Sequence, residues 1–200
     1  MTDFLTADEL SMIRSESKAV IEDEQMSVVI IYRRLIGSVF NPSTGTTTPT
    51  WTEITMRGFR TEFDFRDMAM SGGSIRVGDH MFLFDPVLLQ AMPKPDDRVL
   101  EIVTKNGQVS LTNNSATLHG IGKTDFVQAG VQGGDIIRIN GVDRLVKTTT
   151  DDRTLTVSVN YTGSNVLAAN YVIYRSHEVV GHARSALRSV TRLQLRRAGG

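Results

Sequence analysis

The sequence predicts a mainly β protein with a helix near each end. Short runs of β-branched and aromatic residues alternate with polar residues, and Gly, Asn and Pro turn signals separate these runs. Helical spacing of apolar residues occurs only near the two termini. With 200 residues, of which 40% are hydrophobic and 22% charged, the chain has enough apolar material for one or two hydrophobic cores.

The first element is an N-terminal helix. Thr6 and Glu9 have the spacing of a capping box, in which each side chain accepts a hydrogen bond from the other residue's amide. Leu10, Ile13 and Val20 then follow at helical spacing. We therefore expect an amphipathic helix over residues 7–22.

Strands and turns fill the rest of the first half. Residues 27–34, 51–59 and 75–84 alternate or are β-branched and predict strands, the last with a turn or bulge at Gly78 and Asp79. The polar stretch 41–50 predicts a mobile surface loop. Residues 60–71 fit either a strand or a helical turn.

The composition changes near residue 103. Residues 103–175 contain no proline and carry turn signals every 8–12 residues. Asn140 and Gly141 predict a type I′ hairpin turn between two strands. The six expected strands fit a compact small barrel or sandwich, and they span 109–112, 116–120, 135–140, 142–148, 154–159 and 171–174.

Residues 177–197 return to helical spacing and predict a basic C-terminal helix. Arg184, Arg188, Arg192 and Arg196 recur every four residues, which would form a stripe along such a helix. An arginine row can dock on an acidic protein surface, contact DNA phosphates, or be a solvated helix face. These three interpretations stay open at this point.

The overall charge of zero hides two oppositely charged ends. Residues 1–24 have two basic and seven acidic side chains, a net of −5, whereas residues 175–200 have six arginines against Glu178, a net of +5. Opposite ends favour head-to-tail contact between copies or two different partners. The apolar runs are too short to cross a bilayer, and no signal peptide is recognisable, so we expect folding in a cytosol and no membrane contact.

The residues that could carry chemistry do not form a recognisable catalytic or metal-binding pattern. The chain has no cysteine, and its four histidines lack metal-ligand spacing. Neither glycine-rich stretch has the lysine of a phosphate-binding loop, and no nucleophile elbow is present. We therefore expect a protein that is not an enzyme and that needs no cofactor and no metal.

The first half of the chain resembles the head-tail connector proteins of tailed bacteriophages, of the head-closure or stopper type. The resemblance covers residues 5–102. It includes Met-Ser-Val-Val-Ile-Ile-Tyr-Arg-Arg at 26–34, the Asn-Pro-Ser-Thr-Gly turn, and Ile-Arg-Val-Gly-Asp-His-Met-Phe-Leu-Phe at 75–84. Its most specific parts are the Gly-Asp strand and the downstream Pro-Lys-Pro-Asp-Asp-Arg-Val at 93–99. The resemblance implies a small β-barrel domain in this half.

The second half is similar to a small β module that recurs in phage virion proteins as an appended structural domain. The similarity lies in Gly-Lys-Thr-Asp-Phe at 122–126, residues 131–141, and the strands at 154–157 and 171–175. We expect three parts: a connector domain over 1–102, the β module over 103–175, and a basic helix or arm over 176–200.

The resemblance implies a ring of six or twelve copies between portal and tail, in a virion assembled in the host cytoplasm. Such a ring seals packaged DNA and docks the tail. Its implied partners are the portal or an adaptor protein, the tail terminator or tail tube protein, and non-specifically the packaged DNA.

Three groups of residues follow as candidate sites. We expect channel or tail contact from a loop, comprising Asn41, Pro42, Ser43, Thr44, Gly45, Thr46, Thr47 and Thr48. We expect contacts between subunits from Glu62, Asp64, Arg66, Arg76 and Asp79. We expect docking on the portal or a neighbour from Arg184, Arg188, Arg192, Arg196 and Arg197.

Two other functions remain as alternatives. One is a tail-tip or baseplate adaptor whose β module binds a partner or a surface glycan. The other is a DNA-binding module that uses the C-terminal arginine stripe.

Overall fold

The protein is mainly β. The computed structural model describes residues 6–23, 27–43, 45–89, 91–184 and 191–198. It has helices α1 (Ala7–Glu22) and α2 (Phe65–Met70) and a 3-10 turn at Pro86–Leu88. The strands are β1 (Val28–Asn41), β2 (Thr46–Glu62), β3 (His80–Phe84), β4 (Arg98–Thr104), β5 (Gln108–Leu111), β6 (Ser115–Ile121), β7 (Ile136–Ile139), β8 (Val142–Asp151), β9 (Thr154–Tyr161), β10 (Val166–Ala169), β11 (Tyr171–Arg184) and β12 (Thr191–Arg197).

Helix α1 confirms the predicted N-terminal helix and its capping box. The Thr6 amide donates to Glu9 Oε2 at 2.7 Å, and the Glu9 amide donates to Thr6 Oγ1 at 3.3 Å. Two donors at the start of the helix are thereby satisfied. Near its other end, Ile21 is buried and anchors the helix to the protein.

The chain divides into two compact units. The first comprises Met1–Val99 and His177–Arg196, and the second comprises Leu100–Ser176 and Arg197–Gly200. Residues 176–200 therefore contribute to both units. The sequence had predicted that they form a separate helix or arm.

The first unit contains a closed ring of six strands, of which β4 and β11 belong to this unit only in part. Its strands are hydrogen-bonded in the order β11, β12, β3, β2, β1 and β4, and β4 also pairs with β11. The core inside this ring includes Tyr32, Phe82, Phe84 and Leu193, each almost completely buried. Gly58 on β2 leaves the space into which the Phe82 ring packs, because a Cβ there would lie 2.2 Å from Phe82 Cζ.

An antiparallel sheet in the order β10, β5, β6, β9, β8, β7 and β11 forms the second unit. Its core includes Leu118, Phe126, Ile137 and Leu155, all fully buried. The predicted Asn140–Gly141 turn joins β7 to β8, and both residues have positive φ, 50° and 77°. This geometry confirms the type I′ hairpin.

The predicted C-terminal helix is wrong, because the described parts of this segment are strands. Residues 177–184 belong to β11, and 191–197 form β12, which pairs antiparallel with β3. Burial in β12 has a period of two: Thr191, Leu193 and Leu195 are buried and Arg192 is exposed. The apolar positions that fit helical spacing therefore fit a strand once β3 supplies a pairing edge. No helical arginine stripe exists in these described parts.

The predicted mobile loop over 41–50 is also wrong, because most of it is the start of β2. Thr46, Thr47 and Thr48 pair with Asn41, Phe40 and Val39. Their β-branched side chains favour a strand once a partner strand is present. The turn itself is short: the Gly45 amide donates to the Asn41 carbonyl at 2.9 Å, and Gly45 has φ of 67°.

Candidate functional site

One local structure, an aspartate that closes a turn before a strand, occurs at three places in the described ranges. Asp79, Asp97 and Asp135 precede β3, β4 and β7, and each is buried. Each carboxylate accepts a hydrogen bond from the amide three residues earlier, at 3.0, 2.8 and 2.9 Å. Gly78 and Gly134, which precede two of these aspartates, have φ near 90°. These turns fix where the three strands begin.

Asp97 organises the interior of the first unit. Its carboxylate also accepts hydrogen bonds from the Tyr32 hydroxyl and, at 3.1 Å, from the Leu35 amide. Burial, and then the hydrogen bond and charge of Asp97, raise the pKa of Tyr32 well above its ordinary value. The Pro-Lys-Pro-Asp-Asp-Arg-Val motif thus contains a buried carboxylate that ties the start of β4 to β1.

Asp79 binds an arginine of the final strand. Arg196 Nε and Nη2 donate to the two Asp79 oxygens at 2.9 and 2.8 Å, and Gln194 Nε2 donates at 2.9 Å. Continuing the β12–β3 register from Thr191 and Phe84 puts Arg196 opposite Asp79. Burial by itself raises the pKa of Asp79, but the hydrogen bonds from Arg196, the Arg76 amide and Gln194 lower it below its ordinary value.

Asp135 is the counterpart of Asp79 in the second unit. Arg197 Nη2 lies 3.0 Å from Asp135 Oδ1, and Arg175 Nε lies 3.7 Å from the same oxygen. Continuing the β11–β7 register puts Arg175 opposite Asp135. Two guanidinium groups therefore face one buried carboxylate, and they neutralise a charge that would otherwise be costly to bury.

A long β ribbon is the most exposed part of the first unit. The β1–β2 pairing has an irregularity between Leu35 and Gly37, and every described residue from there to Thr50 is exposed. Ile36, Val39 and Phe40 are 62%, 64% and 60% exposed. We call residues 36–50 the ribbon. Its apolar side chains are the functional candidates that sequence reasoning missed, although the alternation of Ser38, Val39, Phe40 and Asn41 could have indicated a continuing strand.

The first unit also contains an open pocket of about 530 Å³. Its apolar lining includes Phe63, Ile75, Met81 and the buried Leu193, and Met70 lies at its exposed edge. Polar lining comes from exposed His182 and Arg192 with Gln194, Ser71 and Ser74. The volume is in the range of small-ligand pockets. We call it the lateral pocket.

The candidate channel loop lies at the end of the ribbon. Asn41 ends β1, Pro42 and Ser43 form the turn with Gly45, and Thr46, Thr47 and Thr48 begin β2. Thr44 lies outside the described residues. The structure brings this group together as one exposed tip.

Four of the five candidate intersubunit residues are exposed, and the fifth is buried. Glu62, Asp64, Arg66 and Arg76 are exposed, whereas Asp79 is buried with Arg196. The prediction for Asp79 therefore fails, since its carboxylate is enclosed within its own unit. Sequence spacing could not reveal this, because the pairing with Arg196 depends on strand register.

The candidate docking arginines are also separated. Arg196 and Arg197 bind buried aspartates, and Arg192 is exposed at the lateral pocket. Arg188 and the side chain of Arg184 lie outside what the structure describes. Arg196 and Arg197 thus have structural partners within the chain, and Arg192 is the member of the described set that faces solvent.

The described residues contain neither a metal-ligand cluster nor a membrane-spanning helix. Nowhere in that part of the chain do three His, Cys, Asp or Glu side chains gather as a metal site. No helix within the described ranges has the length and apolar character needed to cross a membrane.

Comparison with protein families and with curated proteins found no relative of this chain. No protein-family model matches the chain, and no curated protein matches it.

Proposed function

We propose that the protein is a virion structural protein, the head-tail connector of the head-closure type in a tailed phage. It forms a homo-oligomeric ring between portal and tail, seals the packaged DNA and docks the tail. The resemblance of residues 5–102 to such proteins is the starting point of this proposal.

The ribbon is the observation that supports the proposal most. A two-stranded ribbon exposed on both faces is at best marginally stable in water. This one nevertheless exposes Ile36, Val39 and Phe40 over half of their surface. Exposed apolar residues on an extended element are typical of a subunit that is completed by its neighbours.

The proposal assigns a role to each unit. The six-stranded ring of the first unit is the small β-barrel of the connector class, and the ribbon tip contacts the channel or the tail. The second unit is an appended small barrel or sandwich that packs around its own core and serves as a structural module.

Immunogold electron microscopy on intact and tail-less particles tests this function. The antibody is raised against the chain, after mass spectrometry has confirmed the chain in purified virions. We expect label at the head-tail junction. Label at the distal end of the tail would instead support the adaptor alternative, and absence from purified virions would overturn the structural role.

A further inference from the structure

The ribbon has two different faces. Beyond the irregularity, Phe40 pairs with Thr47 and Ser38 with Pro49, so these four side chains share one face. Val39 lies on the other face, opposite Thr48. The five residue pairs from Gly37 and Thr50 to Asn41 and Thr46 span about 14 Å. Phe40 is therefore a large apolar side chain near the end of a long, thin element.

The lateral pocket is chemically suited to such a side chain. Leu193, Met81, Phe63 and Ile75 provide apolar surface, and methionine adapts its shape to an incoming group. Arg192 lines the same pocket and is exposed. A guanidinium can lie over an aromatic ring and gain cation–π energy there.

We propose that the ribbon of one copy docks in the lateral pocket of a second copy, with Phe40 as the anchor. The ribbon carries no charged residue, so it meets the cationic Arg192 without repulsion. The lateral pocket of the same copy does not cover Phe40, since this side chain stays 60% exposed within one chain.

The contact is heterologous, because the donating and accepting surfaces differ. Each copy gives one ribbon and accepts another, and such contacts close into a ring when the rotation between copies permits. The inference rests on the proposed function only in taking the assembly to be a closed ring.

The absence of cysteine allows a direct test. Ser38→Cys protein and Met70→Cys protein are mixed and treated with a short bismaleimide crosslinker, at the concentration where rings form or otherwise at the highest soluble concentration. Ser38 lies on the same ribbon face as Phe40, so the anchor itself is kept. Both positions are exposed, so both variants should fold normally. The matched control replaces M70C with Leu167→Cys, which is 86% exposed on the second unit.

We expect a crosslinked dimer from the S38C and M70C mixture, and little from S38C with L167C. A chain that carries both S38C and M70C should give a ladder of oligomers, and adding Phe40→Ser or Arg192→Gln should weaken it. No crosslink between S38C and M70C overturns the proposal. Efficient crosslinking of S38C to itself also overturns it, because that contact would be ribbon to ribbon.

These outcomes are independent of the particle-labelling result. Rings at the head-tail junction without the S38C–M70C crosslink would retain the connector function and exclude this contact. The crosslink in a protein that purified virions lack would retain the contact and exclude the connector function.

Discussion

The two units use the same turn and differ in what they leave exposed. In both, a Gly-Asp turn starts a strand, and the buried aspartate binds an arginine from a strand close to the C-terminus. The first unit alone carries the ribbon, with Phe40 and Val39 in solvent. The comparison indicates that the aspartate–arginine pairs serve stability, whereas the ribbon serves association. Four predictions separate these two roles.

The largest loss of stability should come from the buried aspartates. Asp79→Asn or Asp135→Asn leaves arginine without its anionic partner, and since these guanidinium groups are about a quarter exposed, we expect a loss of about 2–3 kcal/mol in the free energy of unfolding. The effect should be larger at Asp135, which faces two guanidinium groups. Urea denaturation monitored by circular dichroism measures both.

Asp96→Asn is the control for that experiment, because Asp96 is exposed beside the buried Asp97. It should leave the urea midpoint nearly unchanged. Equal shifts of the urea midpoint in the Asp79→Asn and Asp96→Asn proteins would show that burial of the carboxylate does not determine its contribution to stability.

The next effect should come from Gly58 in the first unit. Gly58→Ala places a methyl group 2.2 Å from Phe82 Cζ and 2.5 Å from the Leu83 carbonyl oxygen. Such overpacking should cost about 1–3 kcal/mol. Gly37→Ala is the matched control in the paired strand, since nothing lies within 4 Å of its added Cβ. A Gly58→Ala protein as stable as Gly37→Ala would contradict the packing of Phe82 against this strand.

A smaller effect should appear at alkaline pH. Burial, and then the charge of Asp125, raise the pKa of Tyr171 to about 12 from its ordinary value of 10.0. In the unfolded chain Tyr171 loses its proton near pH 10, while the folded protein keeps it. The protein should therefore lose stability as the pH rises from 10 to about 12, and the contribution of Tyr171 is fully present below pH 10.

Tyr171→Phe should remove part of this alkaline loss, as measured by urea denaturation at several pH values. Half-buried Tyr161→Phe is the control in the same unit. The buried Tyr32 of the first unit should retain its own share of the loss, because its pKa is also raised. If the Tyr171→Phe variant loses as much stability between pH 10 and 12 as the original protein, the raised pKa of Tyr171 is contradicted.

The smallest effect on stability should come from the ribbon. Phe40→Ser replaces an exposed side chain, so the free energy of unfolding should change by no more than about 0.5 kcal/mol. Sedimentation should nevertheless show weaker association. A large loss of stability with unchanged association would reverse the roles that the comparison gives to ribbon and core.

Local signals in the sequence predicted the elements that depend on neighbouring residues. The capping box of Thr6 and Glu9 and the turn at Asn140 and Gly141 are confirmed. Both depend on contacts between residues that are close in sequence, so the sequence alone is enough to predict them. The sequence does not predict the short strand β10 (Val166–Ala169), because Val-Leu-Ala-Ala has a single β-branched residue and alanine is uncommon in strands.

Long-range pairing caused the errors. The apolar spacing of 177–197 fits a helix in isolation, but Thr191, Leu193 and Leu195 become one face of a strand beside β3. The threonines at 46–48 look like a loop until Val39 and Phe40 pair with them. Such pairing is decided by which edges meet in space, and a sequence window does not contain that information.

The candidate sites also divide into features that local composition predicts and features that depend on long-range pairing. The exposure of the 41–48 tip as one group could be expected from its polar composition. The burial of Asp79 and the engagement of Arg196 and Arg197 could not, because Asp79 and Arg196 are 117 residues apart in the chain.

By itself, the sequence determined a mainly β protein, its first helix and the turns whose residues require particular backbone angles. The tertiary structure decided which aspartates are buried, which arginines neutralise them and that the ribbon remains uncovered. The physical reason is that capping and turn formation are local, whereas burial and charge pairing depend on strands that meet only after the whole chain has folded.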